Sequence, residues 1–249
     1  MLTGYKTAHF AEIDSTNAEA RRRIAAGAAV PTVIHADRQT AGVGRRGRVW
    51  QSPAGNISCT IMQPLLGGLA SVGQRSYIYG TAIARAANRF LPQPNAKTKW
   101  PNDVMIDGRK LAGVLLETSA APDESLWLIA GFGVNVVAAP PVADGALYQS
   151  TALHLEGSSV DTDMMLREIL LNVAALQAEY DRAGFAPLRA AWRALAMGMG
   201  KSITVNRPDG TQLHGIFNDI DDTGALVLAI GGDTHHISAG DIFLPPQAG

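Results

Sequence analysis

Cysteine is almost absent from this chain. Cys59 is the only one in 249 residues, which excludes a disulfide framework and a thiolate metal cluster. It sits in the alternating apolar stretch NISCTIM, where a buried strand position is expected. Histidine is sparse as well, with six residues at His9, His35, His154, His214, His235 and His236. None has HExxH-like spacing, and the adjacent pair His235–His236 would point to opposite faces of a strand, poor geometry for binding one ion. A histidine metal site is therefore not expected, and the sequence assigns no metal ligand. Excess charge of one sign is missing too. A formal net charge of −1 argues against a general nucleic-acid binder, whose footprint is strongly basic. No apolar run approaches the ~20 residues of a membrane span, and the start MLTGYKTAHFAEID lacks the apolar core and cleavage pattern of a secretory signal. The expectation is a soluble cytoplasmic protein that engages neither membrane nor DNA.

What is present reads as an ordinary globular chain, 47% hydrophobic and 17% charged, long enough for a large domain with a small partner. IDSTNAEARRRIAAG predicts a helix, with capping-box spacing at Thr16 and Glu19 and a stop at Gly27. TVIHAD and NISCTIM predict strands. SVGQRSYIYGTAIARAANRFL predicts a helix closed by Pro92 and Pro94. After AKTKW comes a turn at PND, and DVMIDGRKLAGVLLE reads as a hairpin turning at Asp107-Gly108. SLWLIAGFGVNVV is a strand whose glycines are best explained by close backbone approach to a ligand. Two helical patterns follow, in DTDMMLREILLNVAALQAEYDRAG and APLRAAWRALA. Beyond Gly198 and Gly200, short β-runs separated by PDG, DDTG and GGD turns suggest a small, separate β-barrel.

Four local constellations carry chemistry. In TAGVGRRGRVW, Gly42, Gly44 and Gly47 let backbone N–H groups approach an anion, while Arg45, Arg46 and Arg48 supply charge-assisted forks. It is neither a Walker loop nor a dinucleotide fingerprint, and a solvated basic loop is an equal reading of its composition. KTKWPNDVM places Lys99 at a strand end beside Trp100 and before a tight turn. It could face a substrate or, equally, be an exposed lysine paired with Asp103. Gly131, Gly133 and Asn135 in GFGVNV read first as packing. DSTN at a helix start reads first as capping, although free N–H groups there could also hold an anion.

Taken in order, the motifs are STN, Q-x-x-G-x-G-R-x-G-R-x-W, KWPND, RKLAG and G-x-G-x-N. In this order and wording the chain closely resembles the biotin–protein ligases, from about Ser15 to Asn135. The C-terminal segment looks like that family's small SH3-like β-barrel. The resemblance implies an α+β fold: residues 1–197 form a biotin/lipoate protein ligase-type catalytic domain, a mixed sheet with helices related to class II aminoacyl-tRNA synthetases. Residues 198–249 form the barrel. It also implies an ATP-dependent reaction that makes biotinyl-5′-AMP, releases pyrophosphate, and then passes biotin to a lysine of a biotin carboxyl carrier protein.

By the same resemblance, Ser15, Thr16, Asn17 and Gln39 would bind the ureido end of biotin, whose donors and acceptor must all be satisfied in a buried site. Val43, Gly44 and Gly113 would complete the biotin pocket. Arg45 and Lys99 would be catalytic, lying where the biotin carboxylate meets the α-phosphate and offsetting the repulsion between two anions. Arg48, Trp50, Lys110 and Asn135 would serve ATP, with Mg²⁺ held largely by phosphates and water. Only fourteen residues precede Ser15, so the DNA-binding domain of bifunctional members is expected to be absent. Monomer and homodimer both stay open. Val43 departs from the family, which has arginine there. Losing one charge-assisted contact should cost about 1.5–3 kcal/mol and leave a leakier adenylate site, unless Arg46 or another cation substitutes. Two rivals stand beside this reading: a ligase for lipoate or another acyl acid, and a non-catalytic biotin-binding protein.

Overall fold

Alternation along the chain gives way to continuous burial in two strands, and these become the centre of a sheet. The computed structural model describes residues 3–141 and 148–244. The first unit contains β1 (Lys6–Ile13), α1 (Thr16–Ala25), β2 (Thr32–Gln39), β3 (Ile57–Pro64), α2 (Val72–Phe90), β4 (Ala96–Lys99), β5 (Asp103–Ile106), β6 (Arg109–Ala120), β7 (Leu126–Val134), α3 (Thr162–Ala183) and α4 (Phe185–Arg193). Its seven strands form one mixed sheet in the order β1-β2-β3-β7-β6-β5-β4. β1 and β2 are parallel, and every other pair is antiparallel. Nearly all of β3 and β7 is buried, as expected for strands covered on both faces. The β5–β6 hairpin turns at Asp107 (φ 46°) and Gly108 (φ 77°), the paired positive φ values that favour an Asp-Gly turn.

The helix expected at the start of the chain is present, but its cap is shifted by one residue. Ser15, not Thr16, is the N-cap, and its hydroxyl accepts from Ala18 N–H. Glu19 turns instead to Arg22 and Arg23. Strand β1 was not foreseen. Its burial pattern is mostly exposed; Ala8 and Phe10 turn inward, against the smaller apolar cluster, too short an alternation to mark a strand along the sequence.

α1 packs on one face of the sheet through Ala20 and Ile24, against Ile34, Met62, Trp127 and Ile129. The other face carries α2, α3 and α4 and the main core. A second sheet follows, made of β8 (Ser202–Asn206), β9 (Gln212–Ile220), β10 (Leu226–Ile230), β11 (Asp233–Ile237) and β12 (Asp241–Phe243). It is antiparallel throughout, in the order β11-β10-β9-β8-β12. The sequence suggests a separate barrel, yet Ile203, Phe217, Leu226 and Leu228 belong to the same apolar cluster as Tyr77, Trp100 and Trp192. Tyr77 meets Trp192 edge-on, with centroids 5.1 Å apart. Trp100 Nε1 and Tyr77 OH both donate to the Gly224 carbonyl. Removing Trp192 from this junction would cost about 3–5 kcal/mol. The C-terminal sheet is thereby fixed against the strand and turn that carry Lys99.

Candidate active site

The register of the central strands creates a floor for a ligand. Gly133 is paired with Ser58 on one side and Gly113 on the other. Gly131 lies between Thr60 and Leu115, and Ile129 between Met62 and Glu117. Glycines at consecutive rungs remove the side chains that would fill this face. A cavity of about 410 Å³ opens there, and every residue expected at the site except Asn135 lines it.

One end of the cavity is lined by neutral polar groups tied into a hydrogen-bond network. α1 delivers Ser15, Thr16 and Asn17 through its first turn, and β2 delivers Gln39 from its last residue. Gln39 Oε1 accepts from Thr16 N–H at 2.8 Å and from the Thr16 hydroxyl at 3.1 Å. The Thr60 hydroxyl donates to Asn17 Oδ1 at 2.6 Å and lies 2.8 Å from Thr16 Oγ1. Asn17 Nδ2 donates to Glu117 Oε2 at 2.6 Å. Gly131 makes this packing possible, since a methyl there would lie 2.1 Å from Asn17 Oδ1.

The other end is cationic. Lys99 is not an exposed lysine: its side chain is 1% exposed, with Nζ 3.3 Å from Asp103 Oδ2 and 4.5 Å from the Tyr148 ring centroid. Lys110 Nζ reaches the other Asp103 oxygen at 2.7 Å. Burial lowers the Lys99 pKa from the ordinary lysine value, with Asp103 opposing. Burial would raise the Asp103 carboxyl, but the ammonium groups of Lys110 and Lys99 outweigh it and hold the pKa at about 2. The ladder Lys99–Asp103–Lys110 thus keeps a net positive charge in a largely dry site.

The glycine–arginine loop closes over this end and is held by the C-terminal sheet. Asp241 on β12 accepts from Arg45 at 3.4 Å and Arg46 at 3.1 Å, and lies 3.7 Å from Arg48. Arg45 also donates to Asn102 Oδ1 at 3.0 Å, and burial lowers its pKa. Arg45 and Arg48 line the cavity, whereas Arg46 does not. Arg46 adopts φ 57°, and its guanidinium is directed at Asp241. Trp50 lies over Gly133, where a methyl would come within 2.3 Å of the indole. Lys110 Nζ stands 5.5 Å from its ring centroid, and the buried indole N–H has no partner among the described residues.

Asn135 behaves differently from the expectation. Its amide donates to the Thr151 carbonyl at 3.0 Å and meets Asn56 Nδ2 at 3.4 Å, so the side chain braces the loop after β7 and does not face the cavity. Conversely, Asp241, Tyr148 and Asn102 also line the cavity, while Thr60 and Glu117 stand behind it and hold Asn17. Asn102 had a legible signal as part of KWPND. Asp241 and Tyr148 had none, since only the fold brings them to the cleft.

Residues 10–135 match the model of the Biotin/lipoate A/B protein ligase family, and residues 198–244 match that of the Biotin protein ligase C terminal domain. The biotin–[acetyl-CoA-carboxylase] ligase of Paracoccus denitrificans is 38% identical, over 94% of this chain and 98% of that protein. The chain belongs to the biotin/lipoate A/B protein ligase family. The Mycobacterium tuberculosis biotin–[acetyl-CoA-carboxylase] ligase is 34% identical, over 93% of this chain and 86% of that protein. Among solved structures, the Aquifex aeolicus biotin protein ligase in complex with biotin and ATP superposes with a TM-score of 0.80. It is 22% identical and covers 96% of this chain and 97% of that one, a likeness of fold.

Val43 lines the cavity, is 52% exposed and forms a bridge with Val49. Among the described residues, no group of three or more histidine, cysteine or carboxylate side chains could hold a metal ion. Both aspartates lining the cleft, Asp103 and Asp241, are already paired with cations.

Proposed function

We propose that this protein activates biotin with ATP and transfers it to a lysine of a carboxylase's biotin carrier protein. One observation carries the reading: a single cavity joins a neutral, hydrogen-bonding head pocket to a preassembled cluster of buried and half-buried cations. Its volume suits a small carboxylic acid with a nucleotide phosphate beside it. Ser15, Thr16, Asn17 and Gln39 hold the ureido ring, while Val43, Gly44 and Gly113 border the acid's tail. Lys99 and Arg45 hold the carboxylate against the α-phosphate. A carboxylate oxygen attacks the α-phosphorus, the bond to the pyrophosphate oxygen breaks, and both products are held by the same cations. The carrier lysine, as the free amine, then attacks the acyl carbon, AMP leaves with the bonding pair, and the nitrogen gives up its extra proton to water. Orientation and fixed charge account for most of the rate.

ATP lies with its phosphates on Arg48 and Lys110 and its base beside Trp50, while Asn135 supports the site from behind. Mg²⁺ enters as the counter-ion of the triphosphate. The carboxylates of the cleft form no cage for it, so no step is assigned to it. We place the division of the two units between residues 197 and 198, a reading supported by the pairing of residues 195–197 with β4 through Thr98 N–H to Leu195 O and Met197 N–H to Thr98 O. The setting is cytoplasmic. Among the described residues no helix is long and apolar enough to cross a membrane, and the net charge gives no reason to add DNA as a partner. Incubation with biotin and ATP, read by mass for biotinyl-5′-AMP and then for a biotinylated carrier, tests the reading. Pyrophosphate exchange that responds to lipoate or octanoate but not biotin would replace it with an acyl-ligase reading. Biotin binding without adenylate would leave a binding protein.

A further inference from the structure

The primary amide of Asn17 is two-faced, with an acceptor at Oδ1 and donors at Nδ2. Which end serves the cavity is decided outside it. Arg21 grips Glu117 with Nη1 at 2.9 and 2.8 Å from its two carboxylate oxygens, and the same carboxylate takes Asn17 Nδ2 at 2.6 Å. A carboxylate only accepts, so the NH₂ end of Asn17 must face it. Thr60, whose hydroxyl can serve either way, then donates to Oδ1. Oδ1 itself lies against Gly131, 2.1 Å from where a methyl would stand, and both residues line the cavity; a carbonyl oxygen can accept a second hydrogen bond there.

We propose that Glu117 is a positioning residue that sets the hydrogen-bond polarity of the head pocket: it makes Asn17 present a carbonyl to the cavity and so selects a head group with an N–H at that point. This rests on the biotin reading and deepens it. A cyclic urea carries such an N–H, whereas the head of a dithiolane or a plain acyl chain does not. Discrimination is strong where a site is built to pair a polar group, because the unpaired partner stays buried when that group is missing. Glu117 itself is one-third exposed on the far side of Asn17, so it acts through the amide and need not touch the ligand.

The test is calorimetric binding of biotin and of its two ring-N-methyl isomers to the full chain. In the parent protein, the isomer that has lost the N–H facing Asn17 binds more weakly than biotin by a measurable ratio. Glu117→Met, which keeps bulk but removes the acceptor, should weaken biotin about ten-fold and shrink that ratio by the same factor. Glu117→Gln keeps a carbonyl for Asn17 and should stay within about three-fold of the parent. A purely structural role would weaken biotin and both isomers together, leaving the ratio unchanged, and that result overturns the proposal. So does unaltered biotin affinity in a folded Glu117→Met. Should that variant not fold, nitrogen-15 spectra of the parent decide. The Asn17 side-chain amide should keep its hydrogen-bonded shift when biotin saturates the site, and a move to a free-amide shift sinks the idea. If the parent fails to bind biotin at all, the ligase reading falls first, an outcome distinct from a parent that binds biotin with an insensitive Glu117.

Discussion

The two ends of the cleft are built on opposite principles. At the head end, polar groups are neutral toward the cavity and satisfied by one another, through Gln39, Thr16, Thr60 and Asn17 in sequence. At the anion end, charges are concentrated: Lys99 and Lys110 share Asp103, and three arginines converge on Asp241. The first arrangement can select shape and hydrogen-bond pattern at little electrostatic cost. The second holds positive charge in advance, so that an incoming carboxylate and phosphate exchange water for fixed partners. The difference shows how specificity and rate can be assigned to separate residues within one cavity, and substitutions at either end should leave the other nearly untouched.

The largest separation should come from Lys99. Lys99→Gln is expected to lower the rate of adenylate formation about 10²–10³-fold, while biotin binding measured without ATP changes only a few-fold. Lys99→Arg should not restore it, because the site holds a compact ammonium, 1% exposed, and leaves little room for a planar fork. The pH profile carries the same information. The proposed role of Lys99 requires its charged form, and burial depresses its pKa. Activity should therefore be complete at lower pH and fall as pH rises through a value below the ordinary ~10.4. Asp103→Asn removes the partner that opposes this depression and should move the fall to still lower pH in rate–pH measurements.

A pair of glycines sharpens the contrast further. Gly131→Ala forces a methyl onto Asn17 Oδ1, and Gly133→Ala forces one onto the Trp50 indole. Overpacking of this kind costs about 1–3 kcal/mol. The first should raise the KM for biotin by up to about a hundred-fold with little change for ATP, and the second should do the reverse. Equal effects on both substrates would mean the two ends are not independent.

Val43→Arg should add one charge-assisted contact at the anion end. Slower release of biotinyl-5′-AMP by about ten- to a hundred-fold is expected, followed by stopped-flow chase with excess biotin. Unchanged release would show that Arg45, Arg48 and Lys99 already saturate the anion. Smallest of all should be Asp241→Asn. It frees the loop from the C-terminal sheet and should raise the KM for ATP about three- to ten-fold, the order expected for a partly exposed ion-pair network, without altering biotin affinity.

Much of this was legible along the chain. Short, contiguous motifs foretold the glycine–arginine loop, KWPND and RKLAG, because each packs its chemistry within a few residues of one turn or strand end. The hairpin at Asp107-Gly108 was readable for the same reason, since its turn geometry is a local property of those two residues. Strand β1 was not, because it is held by pairing with β2 and not by its own exposed pattern. Asn135 is named as a site residue from the resemblance alone, and local sequence could not show that the loop after β7 turns its amide toward Thr151.

The sequence by itself determined which polar and charged residues line the cavity, the order in which they are delivered and the glycines that clear space for them. Only the tertiary structure decided their charge state and direction. Lys99 is buried against Asp103, Asn17 is aimed by Glu117 from 100 residues away, and the arginine loop is anchored by Asp241, 195 residues beyond Arg46. Electrostatics and hydrogen-bond polarity depend on which atoms lie within a few ångströms and how much water has left, and neither is a property of neighbours along the chain.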